Sequence, residues 1–185
     1  MKRLTIVAIL LWGSGICLAQ DSRGEFQGVY LRIQGFTFNS GSAAFDIENA
    51  SINGGGYVYV QHITEKFGLY QQMGFFWGAE QNGIKVRLVT EFQGMQVNKK
   101  AGPLILYAKG GLGFTRYLFS GAFSGASYGF ALNYGGGTEI KIKEGLNLVL
   151  EATRLTMGLP NLTGVEGRSK WDNSWQLATG IAIHF

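Results

Sequence analysis

Leu104-Ile105-Leu106-Tyr107-Ala108-Lys109-Gly110-Gly111-Leu112-Gly113-Phe114 is the stretch that decides the fold. Leu104, Leu106, Ala108, Leu112 and Phe114 share one face of a period of two, and Lys109, Gly111 and Gly113 share the other. That period marks a strand whose two faces meet different surroundings. Further on, Leu146, Leu148, Leu150 and Ala152 alternate with Asn147, Val149, Glu151 and Thr153. Upstream, Ile84, Val86, Leu88 and Phe92 oppose Lys85, Arg87, Glu91 and Gln93. At the end of the chain Trp175, Leu177, Ile181, Ile183 and Phe185 oppose Gln176, Ala178, Gly180 and His184. Weaker alternation over residues 29–38, 56–64, 67–77 and 128–140 brings the expected strands to eight.

The connections differ in character. Residues 39–53, 116–127 and 158–172 are long and rich in Gly, Ser and Asn, whereas 64–66 and 143–145 are tight polar turns. Short turns at one end and long loops at the other predict an up-and-down antiparallel meander. Residues 78–83 are short for the loop end, and 96–102 are long for the turn end.

Composition agrees. The chain has 185 residues, with 29 Gly, 2 Pro, 46% hydrophobic, 14% aromatic and 15% charged residues. The length suits one domain, and the Gly and aromatic content argues for β structure over a helical bundle. A single Cys excludes an intramolecular disulfide, and no Cys/His cluster points to a metal; no cofactor is expected.

Met1-Lys2-Arg3, the apolar residues 4–12 and the small residues 13–19 have the three parts of a secretory signal peptide. We expect a signal at residues 1–19, cut after Ala19, and one barrel domain at 20–185. The apolar run is too short for a spanning helix. Ile16 and Ser14 stand in the wrong order around Cys17 for a lipid anchor. Losing Lys2 and Arg3 lowers the formal charge from +4 to +2, and no basic run is left to suggest nucleic acid.

Alternation does not say which face is inside. Gly111, Gly113, Gly129, Gly135 and Gly137 lie on the charged faces, which suits a crowded lumen; on a solvent face Gly would only weaken a strand. The apolar faces are aliphatic at mid-strand, with Trp77, Phe114, Tyr128 and Trp175 near strand ends, like interfacial girdles. The signal directs the chain out of the cytoplasm. The reading is all-β: an eight-stranded antiparallel up-and-down transmembrane β-barrel, with a soluble periplasmic barrel as its rival. On this register Arg32, Lys85, Arg87 and Lys109 face Glu91, Glu139 and Glu151 in the lumen. Confined charges of both signs should pair, because an unpaired buried charge costs several kcal/mol. The alternative is a narrow channel lined by the same charges.

The run from Trp175 to Phe185, with Trp175, Ile181, Ile183 and the final Phe185, resembles the terminal strand of Gram-negative outer-membrane barrels. Such strands typically end in Phe and are read by the barrel-assembly machinery. Residues 134–142 and 143–154 are similar to the penultimate hairpin of small OmpA-like and OmpX-like barrels. The resemblance implies a bacterial outer-membrane location, with outer-membrane lipids and lipopolysaccharide as neighbours. It implies a structural or surface-interacting role and no enzyme activity.

Catalytic patterns are weak. Gly125-Ala126-Ser127-Tyr128-Gly129 matches G-x-S-x-G, with Asp172 and His184 following, but an alternating strand stands where the motif needs a helix. A lipid A-modifying enzyme would need a His beside a Ser or an acid, and neither His62 nor His184 has that arrangement in sequence. Phe45, Ile47, Tyr117, Leu118, Phe119, Phe123, Leu159 and Trp171 are expected in the loops, where they could pack together or meet a surface ligand.

Overall fold

In hydrocarbon every backbone N–H and C=O needs a protein partner, and for strands only a closed ring supplies one along both edges. The computed structural model describes residues 29–40, 50–81, 84–121, 124–158 and 171–185. The expected signal segment 1–19, Phe45, Ile47, Phe123 and Leu159 fall outside them. Eight strands follow in order: β1 (Val29–Ser40), β2 (Ala50–His62), β3 (Phe67–Gln81), β4 (Ile84–Ala101), β5 (Leu104–Gly121), β6 (Gly125–Lys143), β7 (Leu146–Gly158) and β8 (Trp171–His184). Each pairs antiparallel with the next, and β8 pairs back on β1 to close the barrel.

Following backbone partners once around, from Tyr30 through Val60, Tyr70, Gly94, Gly111, Asn133, Leu155 and Ser174, returns to β1 at Ser40, ten residues on. This stagger tilts the strands by about 40° and leaves an interior that side chains fill. At the turn end, Gly102 (φ 61°) and Gly145 (φ 72°) hold the tight β4–β5 and β6–β7 connections in the left-handed region that glycine tolerates.

Three expectations are corrected. Residues 116–127 are not a long loop, because β5 runs on to Gly121 and β6 begins at Gly125. Tyr117 and Phe119, expected in that loop, are buried in the barrel. Residues 96–102 are not a long turn either, since β4 continues to Ala101. The Gly and Ser content of these segments hid an alternation that continues through them.

The third correction concerns which face of β4 is inside. Val86, Leu88 and Phe92 are buried, whereas Lys85, Arg87 and Glu91 are exposed on the outer wall. The reason lies in strand length. β4 and β5 have 18 residues each. At roughly 3.3 Å per residue and a tilt of about 40°, such strands rise about 45 Å, against an apolar band about 25 Å tall. Their loop ends therefore extend past the band, where the wall no longer meets hydrocarbon. The polarity inverts there, with Val86 and Leu88 inside and Lys85 and Arg87 outside, as in a water-soluble barrel, and Glu91 and Phe92, level with Phe114 and Gly113, carry the inversion down to the upper rim of the band.

Below that level the wall is lipid-facing in character. Leu106, Leu112, Phe114, Phe130, Leu150, Leu177 and Ile181 are exposed, and Leu148 lies outward between Ile140 and Ile181. Residues 104–114 of β5 would rise about 25 Å at this tilt, the height of the band.

Candidate functional site

The interior has two chemically distinct layers. The lower one, toward the turn end, is ionic. β1 brings Arg32 inward, β5 Lys109, β6 Glu139 and β7 Glu151, and all four are at most 5% exposed. Arg32 donates from Nε (3.0 Å) and Nη2 (2.9 Å) to Glu139 Oε1, and Nη2 also reaches Gln96 Oε1 at 2.9 Å. Its Nη1 lies 3.6 Å from Glu151 Oε2. Lys109 Nζ donates to Glu151 Oε1 at 2.7 Å and to Gln72 Oε1 at 2.6 Å. The Tyr107 hydroxyl donates to Glu151 Oε2 at 2.8 Å, and the Tyr107 ring lies 3.9 Å beneath the guanidinium of Arg32. The four formal charges sum to zero. Such a cluster balances desolvation with attraction and hydrogen bonds, so losing one member leaves an uncompensated ion.

The layer needs room, and glycine provides it. A Cβ on Gly137 would run into the Leu150 carbonyl oxygen of β7 and lie 2.6 Å from the Tyr107 hydroxyl. Two histidines stand below, near the turn end. His184 Nε2 lies 2.8 Å from Glu139 Oε2, which also accepts from Asn147 Nδ2 at 2.9 Å. His62 Nδ1 lies 3.3 Å from Asn98 Nδ2.

The upper layer, toward the loop end, is apolar. Ile52, Phe76, Val86, Leu88, Leu155 and Met157 are buried there, with the Tyr117 and Phe119 rings stacked 6.5 Å apart. Between the layers lie Gln72, Thr90, Asn133, Thr153 and Gln176, each at most 1% exposed.

The structure thus brings together Arg32, Lys109, Glu139 and Glu151, and leaves Lys85, Arg87 and Glu91 outside on β4. Tyr107, Gln96 and Gln72 were not singled out. The spacing from Tyr107 to Lys109 could have found the first, because both share a face, whereas the inverted face of β4 hid Gln96. The apolar layer was missed for the same reason. Trp175, Ile181 and Phe185 lie exposed on the outer wall, and Ile183 is half-buried between Leu31 and Leu146. Ser127 and His184 do not meet: Ser127 lies near the start of β6 at the loop end, and His184 ends β8 at the turn end. Among the described residues no group of three His, Cys, Asp or Glu could hold a metal.

No family model and no curated protein matches the chain in sequence. Solved structures do match in shape. Neisserial surface protein A superimposes with a TM-score of 0.67 at 14% identity, over 85% of this chain and 97% of that one. Ail, the attachment invasion locus protein of Yersinia pestis, gives 0.54 at 14% identity over 85% and 99%. The N-terminal barrel of Pseudomonas aeruginosa OprF gives 0.51 at 15% identity over 84% and 97%. The closed ring, its meander order and these likenesses agree: the chain has the fold of the small eight-stranded β-barrels of bacterial outer membranes.

Proposed function

We propose that this protein is an integral barrel of the bacterial outer membrane with a sealed lumen, an envelope scaffold that acts through its outer wall and loop end. The carrying observation is the pairing of Arg32 and Lys109 with Glu139 and Glu151 in the lumen, beneath an apolar layer. A conducting path needs polar groups and water from end to end. Here one layer ties up its charges and the other offers ions no ligands. On this reading the paired charges serve stability, and no catalytic step is assigned.

The surroundings follow. Outer-membrane lipids pack on Leu106, Leu112, Leu150 and Ile181. The barrel-assembly machinery reads the terminal strand with Trp175, Ile181, Ile183 and Phe185. Lipopolysaccharide and a surface ligand meet the loop end. Ail has been solved with the heparin analogue sucrose octasulfate, which makes a polyanion a reasonable first probe for such a ligand. Cell fractionation with a heat-modifiability gel tests the proposal. An outer-membrane band whose mobility shifts on boiling supports it, and a freely soluble periplasmic protein contradicts it.

A further inference from the structure

The outer wall changes character within one step of β5. Phe114 is exposed, with its ring edge-on to Phe130 at 6.1 Å. The next outward position is Arg116, also exposed, its guanidinium 5.4 Å over the ring of Tyr128 on β6. On β4 the outward Arg87 pairs with Leu118, and Arg116 pairs with Val89, so the two arginines are diagonal neighbours on one wall. Diagonal positions on adjacent strands are about 7–8 Å apart, within reach of long side chains. Neither arginine forms an ion pair with a carboxylate among the described residues. Exposed Lys85, the next outward position on β4, pairs in register with Glu80 of β3, and Glu91, opposite Phe114, is the lower diagonal neighbour of Arg116.

Arg116 stands about 5 Å above the Phe114 level at this tilt. That is where phosphate groups lie when an aromatic girdle marks the edge of the hydrocarbon. Guanidinium groups bind phosphate in a bidentate geometry, and stacking on Tyr128 holds one plane of Arg116 while leaving its N–H edges free. We propose that Arg87 and Arg116 form a clamp for the phosphate of a phosphorylated glycolipid in the outer leaflet, with Tyr128 and Phe114 against its sugar and upper acyl chains. The clamp is on the side of the barrel, directly above a lipid-facing band, which suits a headgroup anchored in the bilayer better than a soluble polyanion. The inference rests on the loop end facing outward.

The test uses the refolded full chain and native mass spectrometry from micelles. These contain a bis-phosphorylated acylated disaccharide, its dephosphorylated form and phosphatidylglycerol, with sucrose octasulfate as soluble competitor. Wild type is expected to retain the phosphorylated disaccharide at least tenfold over the other two lipids, undisplaced by the soluble polyanion. R87Q/R116Q is expected to lose that preference while keeping the heat-dependent gel shift. K99Q/K141Q, which removes two exposed cations near the turn end, is expected to keep it. Equal retention of the dephosphorylated lipid or phosphatidylglycerol, displacement by sucrose octasulfate, an undiminished R87Q/R116Q, or equal loss in K99Q/K141Q overturns the clamp. The orientation is tested separately, by labelling Arg87→Cys on intact cells with an impermeant maleimide: modification supports it, and protection until the outer membrane is broken contradicts the outward loop end alone.

Discussion

Arg32 on β1 and Glu139 on β6 meet inside the barrel at 2.9 Å, with two guanidinium nitrogens on one carboxylate oxygen, 107 residues apart in sequence. Neither ion has bulk water to fall back on, so each depends on the other. E139Q is therefore expected to destabilise the folded barrel by about 3–5 kcal/mol, whereas R32M/E139L, which removes both charges, costs clearly less than the two single changes together. Urea titration in detergent micelles, followed by the gel shift, measures this. Additive losses would show that the pair is not coupled.

The face inversion on β4 makes neighbouring residues behave oppositely. The one native Cys, Cys17, is in the expected signal segment, so an introduced thiol is unique in a chain cut there. Arg87→Cys is expected to react within minutes with a soluble maleimide in micelles, and Leu88→Cys to stay protected until the barrel unfolds. The reverse pattern restores the register first expected from sequence.

That register shows what was legible. Residues 104–114 and 146–153 gave strands, faces and two of the four inner ions, Lys109 and Glu151, because both segments lie within the apolar band, where lipid enforces a strict rule. On β4 the alternation was equally clear, yet its sense was opposite: Val86 and Leu88 come after the loop end, beyond the reach of that rule. A period of two reports that two faces differ; which one is dry depends on what the wall meets at that height. The meeting of Arg32 with Glu139 across the lumen was open to expectation as a sign balance but not as a distance, since the ten-residue stagger that aligns them is a property of the closed ring.

The upper layer should behave as a packed core. Phe76 is 1% exposed among Leu88, Tyr117 and Leu155. F76A is expected to cost about 3–5 kcal/mol by the same titration, the range for truncating a buried aromatic. A loss below about 1 kcal/mol would mean that the layer is loose.

Gly137 is set against Tyr107. G137A forces the ring or the adjoining strand to move, and a loss of about 1–3 kcal/mol is expected, as for overpacking elsewhere. An unchanged midpoint in the urea titration would show that both Tyr107 and the β7 backbone at Leu150 have room to yield.

F185A separates assembly from folding. Phe185 is 69% exposed on the outer wall and closes no part of the lumen. Refolding in detergent is expected to be unchanged, while the heat-shifting band in outer-membrane fractions falls severalfold. Equal yields in cells would contradict the proposed reading of Phe185 by the assembly machinery.

Current recording in planar bilayers goes to the centre of the account. With Arg32, Lys109, Glu139 and Glu151 mutually neutralised under a dry layer, the refolded wild-type chain is expected to give a flat baseline in molar salt at either polarity. Reproducible unitary steps that scale with voltage, and that change when Glu151 or Lys109 is replaced, would mean that ions pass through the lumen.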